Sequence, residues 1–329
     1  MPAVDVVIPT FERPSGLRRC LEALAKQTFA DFAGTVVDDA SATPTEAAIP
    51  LAIRDRLDLT VVRLEENGGP GRARNRGVRQ GHAPIICFLD DDIIPAPDLV
   101  ARHYESVRHE PALVAIGPMV EPPGAASPPW MRWESEGLEE QYRAMEAGEF
   151  APTWRQFYTG NAALSRAAFE AGGGFDERFR RAEDIELAFR LERAGCRFLF
   201  DPDARATHQA ARSAATWLAI PRAYARMHVA LDQLHPESDW LKIVDREGGW
   251  RGRFLRRAVS LGPLAGTLAA AATFASLPVA NVAGGWVAHQ LVGGAYALVY
   301  WSELERAQRS GRRMVPGPAI TPAPIAAPA

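Results

Sequence analysis

The chain is 329 residues long, with 37 Lys and Arg against 40 Asp and Glu, a formal net charge of −3 and 47% hydrophobic residues. That length suits one large domain plus an accessory region. The nearly balanced charge gives no basic footprint for nucleic acid, so no nucleic-acid partner is expected. Lys26 and Lys242 are the only lysines, and the three cysteines, Cys20, Cys87 and Cys196, lie far apart in helix- or strand-like segments. With no metal-type spacing among them, they read as buried thiols in a reducing compartment. Met1-Pro2-Ala3 runs straight into a strand pattern, so no signal peptide is expected.

The first half alternates strand and helix signals, the pattern of a parallel sheet with right-handed crossovers. Val4 to Ile8 forms the first strand, and a helix follows from a Ser15 cap with Leu17, Cys20, Leu21 and Leu24 on one face. Thr35 to Val37 makes the second strand, ending in Asp38-Asp39. Thr43 and Glu46 then form a capping box with Pro44 at the first helical position. Leu59 to Leu64 is the third strand, and Asn67-Gly68-Gly69-Pro70-Gly71 leads into a short helix carrying Arg74 and Asn75. Ile85-Ile86-Cys87-Phe88-Leu89 is a fully apolar fourth strand, and Leu113 to Gly117 a fifth.

Asp90, Asp91 and Asp92 follow the fourth strand directly. They therefore lie at the carboxyl edge of the sheet, where open α/β folds bind ligands. Adjacent carboxylates repel one another unless a cation joins them, and a hard divalent ion bridging to phosphates is the natural occupant. A polar turn before Pro95 is the plainer alternative.

Residues 118 to 157 are weakly periodic and rich in Pro, Trp and Glu, which reads as a long functional loop region with a short helix near Glu136 to Ala147. Gly172-Gly173-Gly174 marks a tight turn. A helix from Glu183 to Ala194 carries an apolar stripe of Leu187, Ala188, Leu191 and Ala194, supported by the i,i+4 pair Glu186 and Arg190. Arg197 to Phe200 is strand-like, and residues 213 to 257 are amphipathic and aromatic. Ala258 to Ser302 contains no Asp, Glu, Lys or Arg, with Pro278 and Asn281 at a bend and arginines at both ends. That is long enough for a hairpin of two membrane spans of about 20 residues each, both ends cytosolic. An interfacial hairpin and a soluble packed pair are the alternatives. The tail from Val315 is Pro/Ala-rich and expected to be disordered.

Taken together, the motifs resemble the family 2 glycosyltransferases of the GT-A fold, over roughly residues 4 to 210. The resemblance is carried by Val7-Ile8-Pro9-Thr10-Phe11, Val37-Asp38-Asp39-Ala40-Ser41, Gly71-Arg72-Ala73-Arg74-Asn75-Arg76-Gly77 and Phe88-Leu89-Asp90-Asp91-Asp92. It continues in Gly160-Asn161, Gly173-Gly174-Phe175-Asp176-Glu177 and Glu183-Asp184-Ile185-Glu186-Leu187. Any one motif is weak, but all of them in this order are strong.

The resemblance implies a nucleotide-sugar donor, of the UDP type, held by Pro9, Thr10, Glu12, Asp39, Arg74, Asp90 and Asp91. Asp39 would accept from the ring N–H of a uracil-type base, or else cap the turn before Ser41. Arg74 would approach the nucleotide or diphosphate, whereas Arg72, Arg76 and Arg79 share a solvent-facing helical stripe. Asp90 would face the ribose, and Asp91 either the ribose or the metal. Asp92 and His208 would bind Mn²⁺ or Mg²⁺, although a lone histidine is as readily structural. Asp184 is the implied general base for an inverting transfer, ionised at a helix N-terminus, where a plain N-cap is the alternative. Trp130, Trp133, Tyr158, Asn161 and Glu183 are candidate acceptor contacts, and Trp154 is a further aromatic of this region. For the aromatics, ordinary packing is the competing role.

The expected organisation is a nucleotide-sugar-binding half at 1–117 and an acceptor and catalytic half at 118–212. Amphipathic interfacial helices follow at 213–257, a membrane-associated hairpin at 258–302 and a basic, then disordered tail at 303–329. The expected activity is sugar transfer to a lipid-linked or polysaccharide acceptor at the cytoplasmic face of the cell membrane. A catalytically inactive nucleotide-sugar-binding subunit is one competitor. A nucleotidyltransferase is the other, but that class opens with a Gly- and Arg/Lys-rich phosphate loop where this chain has Pro9-Thr10-Phe11-Glu12-Arg13.

Overall fold

A computed structural model describes residues 1–247 and 285–325 except 316 and 318, together with 256, 257, 259, 267, 268, 271, 272 and 275. The chain divides into two compact units, one of Met1–Pro123, Leu138–Ala210 and Ile320–Ala329, the other of Gly124–Gly137 and Ala211–Ala319.

In the first unit, the β-branched run Val4–Thr10 is strand β1, buried along its whole length, as a strand covered on both faces must be. Helix α1 (Pro14–Leu24) follows, and then β2 (Phe32–Asp38), a short helix α2 (Leu51–Arg54), β3 (Leu59–Arg63), α3 (Pro70–Val78) and β4 (Ile85–Leu89). Strands β1, β2, β3 and β4 are mutually parallel. Leu17, Cys20, Leu21 and Leu24 are buried on one face of α1 as the periodicity predicts, but the helix begins at Pro14 and Ser15 is no cap. Nor does a capping box form at Thr43 and Glu46: a 3-10 turn starts at Thr45, whose backbone N–H donates to Asp38 instead.

The chain continues through β5 (Ile93–Pro95), α4 (Leu99–Val107), β6 (Leu113–Ile116) and β7 (Met119–Val120). Next come α5 (Pro129–Glu146), β8 (Asn161–Ser165), α6 (Arg166–Ala171), α7 (Glu183–Arg193), β9 (Arg197–Phe200) and β10 (Ala206–His208). Seven strands form the main sheet in the order β3-β2-β1-β4-β8-β6-β9, and β5-β10-β7 form a second sheet. The main sheet is not wholly parallel, because β8 runs antiparallel to both β4 and β6. The expected loop of 118–157 is also more ordered than its composition suggests, since α5 occupies 18 of its residues.

Two glycines are required by geometry. Gly69 has φ +87 immediately before Pro70 starts α3, a backbone angle that suits glycine. At Gly77 a Cβ would come within 2.4 Å of Val7 Cγ1, so glycine lets α3 lie close against β1.

The second unit contains α8 (Ala214–Leu234), α9 (Trp240–Glu247) and α10 (Gly285–Arg309). Ala225, Val229, Tyr300, Trp301 and Leu304 are buried together. Arg226 donates to Glu303 at 2.6 Å, and the His228 ring nitrogen Nδ1 lies 2.7 Å from the Tyr300 hydroxyl. The expected hairpin of 258–302 is described only in part. Its first arm and bend lie almost wholly outside the described residues, and its second arm is part of α10, which buries a face against α8 and carries charged residues. Among the described residues no helix is long and apolar enough to cross a membrane.

The expectation of a disordered tail is corrected. Ala323 N–H donates to the Ala171 carbonyl and Ile325 N–H to Ala194, so this stretch of the Pro/Ala-rich segment is held on the first unit.

Candidate active site

The crevice lies where the strand order reverses. β2 and β4 flank β1 on opposite sides, so successive crossovers leave in different directions and the carboxyl ends of β1 and β4 open side by side. Thr10, the last residue of β1, donates its hydroxyl to Asp91 Oδ2 at 2.7 Å, joining the two strand ends.

The three aspartates have different surroundings. Asp90 is part-exposed and accepts from Arg74 Nη2 at 2.6 Å. Asp91 is buried, and besides Thr10 it accepts from Arg13 Nη1 at 3.2 Å. Burial, reinforced by the charges of Asp92 and Asp90, pushes the Asp91 carboxyl up to about 6, against the opposing pull of Thr10 and Arg13. Asp92 accepts from Arg13 Nη1 through Oδ2 at 2.7 Å, while its Oδ1 lies 3.6 Å from His208 Nε2. The β10–β5 register, which sets His208 opposite Ile93, brings the histidine to that place.

The Asp92–His208 pair was tested for fit to a divalent ion. A separation of 3.6 Å is too long for a hydrogen bond. It is somewhat wider than the span of about 3.0–3.4 Å between two ligand atoms each about 2.1 Å from one cation, so a small side-chain adjustment would bring both onto the ion. Among the described residues no cluster of three or more His, Cys, Asp or Glu side chains encloses a metal by itself. The donor set therefore suits an ion that takes its other ligands from phosphate and water, the habit of Mg²⁺-like cations.

On the opposite wall Arg74 is almost fully buried. Its Nη2 binds Asp90 and its Nη1 donates to Glu183 Oε1 at 2.8 Å, while the guanidinium carbon sits 5.6 Å from the centre of the Phe175 ring. Arg74 thus ties the aspartate loop to the first turn of α7, with each terminal nitrogen engaged by a carboxylate. Glu183 is correspondingly buried against Arg74, a place that suits support of the neighbouring Asp184, the other role considered for it, better than contact with an acceptor.

Asp184 lies in the first turn of α7 and its Oδ1 accepts the Ile185 N–H at 2.8 Å. It is not the N-cap: that position is Ala182, a non-glycine residue at φ 58. The helix terminus does not keep Asp184 fully ionised either. Burial and then the Glu183 charge push its carboxyl up to about 7, while Arg74 and the Ile185 amide pull it down and Asp90 raises it further. Its carboxyl therefore binds a proton more readily than an ordinary aspartate does.

Asp39 also differs from expectation. Its two carboxylate oxygens accept the Gly68 and Gly69 N–H groups at 2.7 and 2.8 Å, bracing the loop before α3. Each oxygen therefore already holds one backbone donor where a contact with a base ring was expected. The turn before Ser41 is capped by the neighbouring Asp38, which accepts from Ser41, Thr45 and Arg63. Pro9 is buried in β1 opposite Val37. Glu12, at φ 56, donates its N–H to Ser41 Oγ and accepts from the Ala42 N–H, so it pins two loops together.

The remaining acceptor candidates have structural partners. Asn161 has no exposed surface: its Oδ1 lies 2.8 Å from His103 Nε2, and its Nδ2 donates to Pro118 and Ala204 carbonyls. An acceptor cannot reach it. Tyr158 donates its hydroxyl to Gln141, and Trp154 packs edge-on to Phe189 at 5.1 Å. Trp130 and Trp133 belong to the second unit, where Trp130 donates to the Arg212 carbonyl and Trp133 packs against Trp217 and Tyr296.

The functional residue that sequence reasoning passed over is Arg13. Its one signal was its place directly after the Pro9-Thr10-Phe11-Glu12 strand end.

This fold is found in solved GT-A glycosyltransferases. The mannosyltransferase PcManGT from Pyrobaculum calidifontis, in complex with GDP-Man and Mn²⁺, matches with a TM-score of 0.63 at 20% identity, covering 93% of this chain and 88% of that one. TarS 1–349 from S. aureus in complex with UDP-GlcNAc matches at 0.55 and 20% identity, covering 95% and 93%. The sequence narrows the class further: the family described as Glycosyl transferase family 2 matches residues 5–173, and the chain belongs to it. Validoxylamine A glucosyltransferase of Streptomyces hygroscopicus subsp. jinggangensis is 34% identical over 225 residues, 59% of this chain and 52% of the relative. Pre-mycofactocin glycosyltransferase of Mycobacterium tuberculosis is 27% identical over 238 residues, 71% and 48%. The chain spans about half the length of these curated relatives.

Proposed function

We propose that this chain is an inverting, metal-assisted glycosyltransferase that moves a sugar from a nucleoside-diphosphate donor, of the UDP type, to a hydroxyl of a glycan or lipid-linked acceptor. One observation carries the reading: the first turn of α7, which presents Asp184, is tied through Glu183 and Arg74 to Asp90 at the end of β4, and burial there raises the Asp184 carboxyl toward neutrality. A carboxylate near neutrality is the group that a general base at neutral pH requires.

In the transfer, the acceptor hydroxyl gives its proton to Asp184 as its oxygen forms a bond to the anomeric carbon. The bond from that carbon to the diphosphate oxygen breaks on the opposite face, and the nucleoside diphosphate leaves with the electron pair. Asp90 orients the donor from the exposed side of the crevice. Arg74 fixes Asp90 and Glu183, and with them the first turn that presents Asp184. Asp92 and His208 would hold Mn²⁺ or Mg²⁺, which when bound supplies positive charge to the departing diphosphate.

Calorimetry of the full chain with UDP and with GDP, each with and without Mn²⁺, tests the donor site. Metal-dependent binding of UDP is the expected result, and a preference for GDP would change the assigned nucleotide. If neither nucleotide binds in the presence of metal, the donor reading is wrong.

A further inference from the structure

Arg13 occupies an unusual place for a residue at the start of a helix. It is the N-cap residue of α1, at φ −128 and ψ 53, yet its side chain takes no part in capping. The guanidinium reaches instead across the crevice mouth, and one nitrogen, Nη1, meets Asp91 Oδ1 at 3.2 Å and Asp92 Oδ2 at 2.7 Å. The side chain is 47% exposed, while those of Asp91 and Asp92 are 6% and 9% exposed. A cation on the solvent side is thus closing over two buried carboxylates, one of which has its other oxygen toward His208.

Such an arrangement has a consequence for order of binding. The guanidinium itself is half-exposed, so a change of rotamer can carry it away without disturbing the core, and the buried carboxylates it leaves then call for another cation. A guanidinium is also well suited to phosphate oxygens, which it can bind through two parallel N–H donors. While it remains on Asp92, its charge repels a second cation at the same carboxylate.

We propose that Arg13 is an exchangeable counter-ion that makes divalent-cation binding at Asp92 and His208 conditional on a nucleoside diphosphate. In the free protein Arg13 neutralises Asp91 and Asp92. With a diphosphate in the crevice it transfers to the phosphate oxygens, leaving Asp92 open to the metal. Nucleotide and metal then bind cooperatively, each tightening the other by the same factor. The inference rests on the proposed donor site and adds to it a residue that sets the dependence of one ligand on the other.

The test is titration of the full chain with Mn²⁺, following free Mn²⁺ by electron paramagnetic resonance with and without UDP, and with GDP in parallel. The wild type should bind Mn²⁺ weakly alone and at least about tenfold more tightly with nucleotide, within the usual range of coupling between sites. Arg13→Gln should bind Mn²⁺ alone several-fold more tightly than the wild type and gain less from nucleotide. Arg13→Lys keeps the charge and should retain a clear gain. An Arg13→Gln protein whose affinity for Mn²⁺ alone is unchanged or weaker, or whose gain from nucleotide equals the wild type's, overturns the counter-ion role while leaving the donor site standing. A wild type that binds no Mn²⁺ with either nucleotide removes the metal site itself, and the inference with it.

Discussion

Substituting Asp184 by Asn tests the proposed chemistry through two independent signals. The first is activity: an amide cannot take the acceptor proton, and loss of a general base costs about 10²–10⁴-fold in transfer rate. Because the wild-type carboxyl is pushed up to about 7, kcat/KM should climb about tenfold per pH unit below that value and level off above it. The second signal is stability. An acid whose folded value lies near 7, above its ordinary 3.8, carries a proton in the folded state that the unfolded chain has lost. Folding stability therefore falls as pH rises between those values and stays lower above them. Three pH units correspond to a ceiling of about 4 kcal/mol. Since Asp184 is only half-buried at its surface and shares its environment with Glu183, about 1–2 kcal/mol is expected. Asp184→Asn should thus be more stable than the wild type at about pH 8 and indistinguishable from it near pH 4, by urea unfolding at each pH. Undiminished transfer by the variant would refute the base assignment, and equal stability at both pH values would refute the buried-charge argument.

Three further outcomes follow from named contacts. Arg74→Met removes the cation that pulls Asp184 down, so the rising limb of the pH–rate profile should move to higher pH, and Arg74→Lys should restore much of its position. Asp39→Ala leaves the Gly68 and Gly69 N–H groups without their acceptors. It should lose about 2–4 kcal/mol of stability, read by denaturant midpoint, because buried donors are left unsatisfied. Glu186→Gln strips a carboxylate charge from the fully buried Arg190, which it meets at 2.5 and 2.8 Å. An uncompensated buried charge costs about 3–5 kcal/mol, and circular dichroism melts would show it as a markedly lower transition temperature.

The parts of the site legible in the sequence were those encoded by short-range pattern. Five apolar residues followed by three carboxylates place Asp90, Asp91 and Asp92 at a strand end, and the observed β4 has the bounds read from that run. The stripe through Leu187 and Leu191 likewise fixes the register of α7, and so the place of Asp184 in its first turn. Roles that depend on distant partners were not legible. Arg13 meets carboxylates 78 and 79 positions away, and nothing near it in sequence announces them. Asp38 and Asp39 are adjacent at a strand end, where successive side chains point opposite ways. The turn cap weighed for Asp39 falls to Asp38, and Asp39 braces Gly68 and Gly69 instead. Asn161 sits in a motif suggestive of ligand contact, but its position opposite Leu89 in β8 turns it inward to His103. Strand direction leaves no mark on composition, so the reversal of β8 had no signal. Absence of charge from 258 to 302 measures only avoidance of water. The face of α10 bearing Val292, Ala295 and Val299 achieves that by packing within protein.

The charge balance of the crevice unites these features. Among the described residues, two guanidiniums, Arg13 and Arg74, are bound to four of the five carboxyls Asp90, Asp91, Asp92, Glu183 and Asp184. Two of the carboxyls hold protons more tightly, chiefly because they are buried and further because of their like-charged neighbours, Asp91 up to about 6 and Asp184 up to about 7. The two guanidiniums are not equivalent. Arg74 is 3% exposed and joined to both walls, so it has no route to solvent and moving it would part the walls. Arg13 is exposed and joined to one wall alone, so it is the cation that can be exchanged. A diphosphate entering beside these aspartates adds negative charge to a site already short of cations, and cannot be held there unless positive charge comes with it. The site thus separates a fixed cation, which sets the affinity of Asp184 for its proton, from a movable one, which yields its place when the donor arrives.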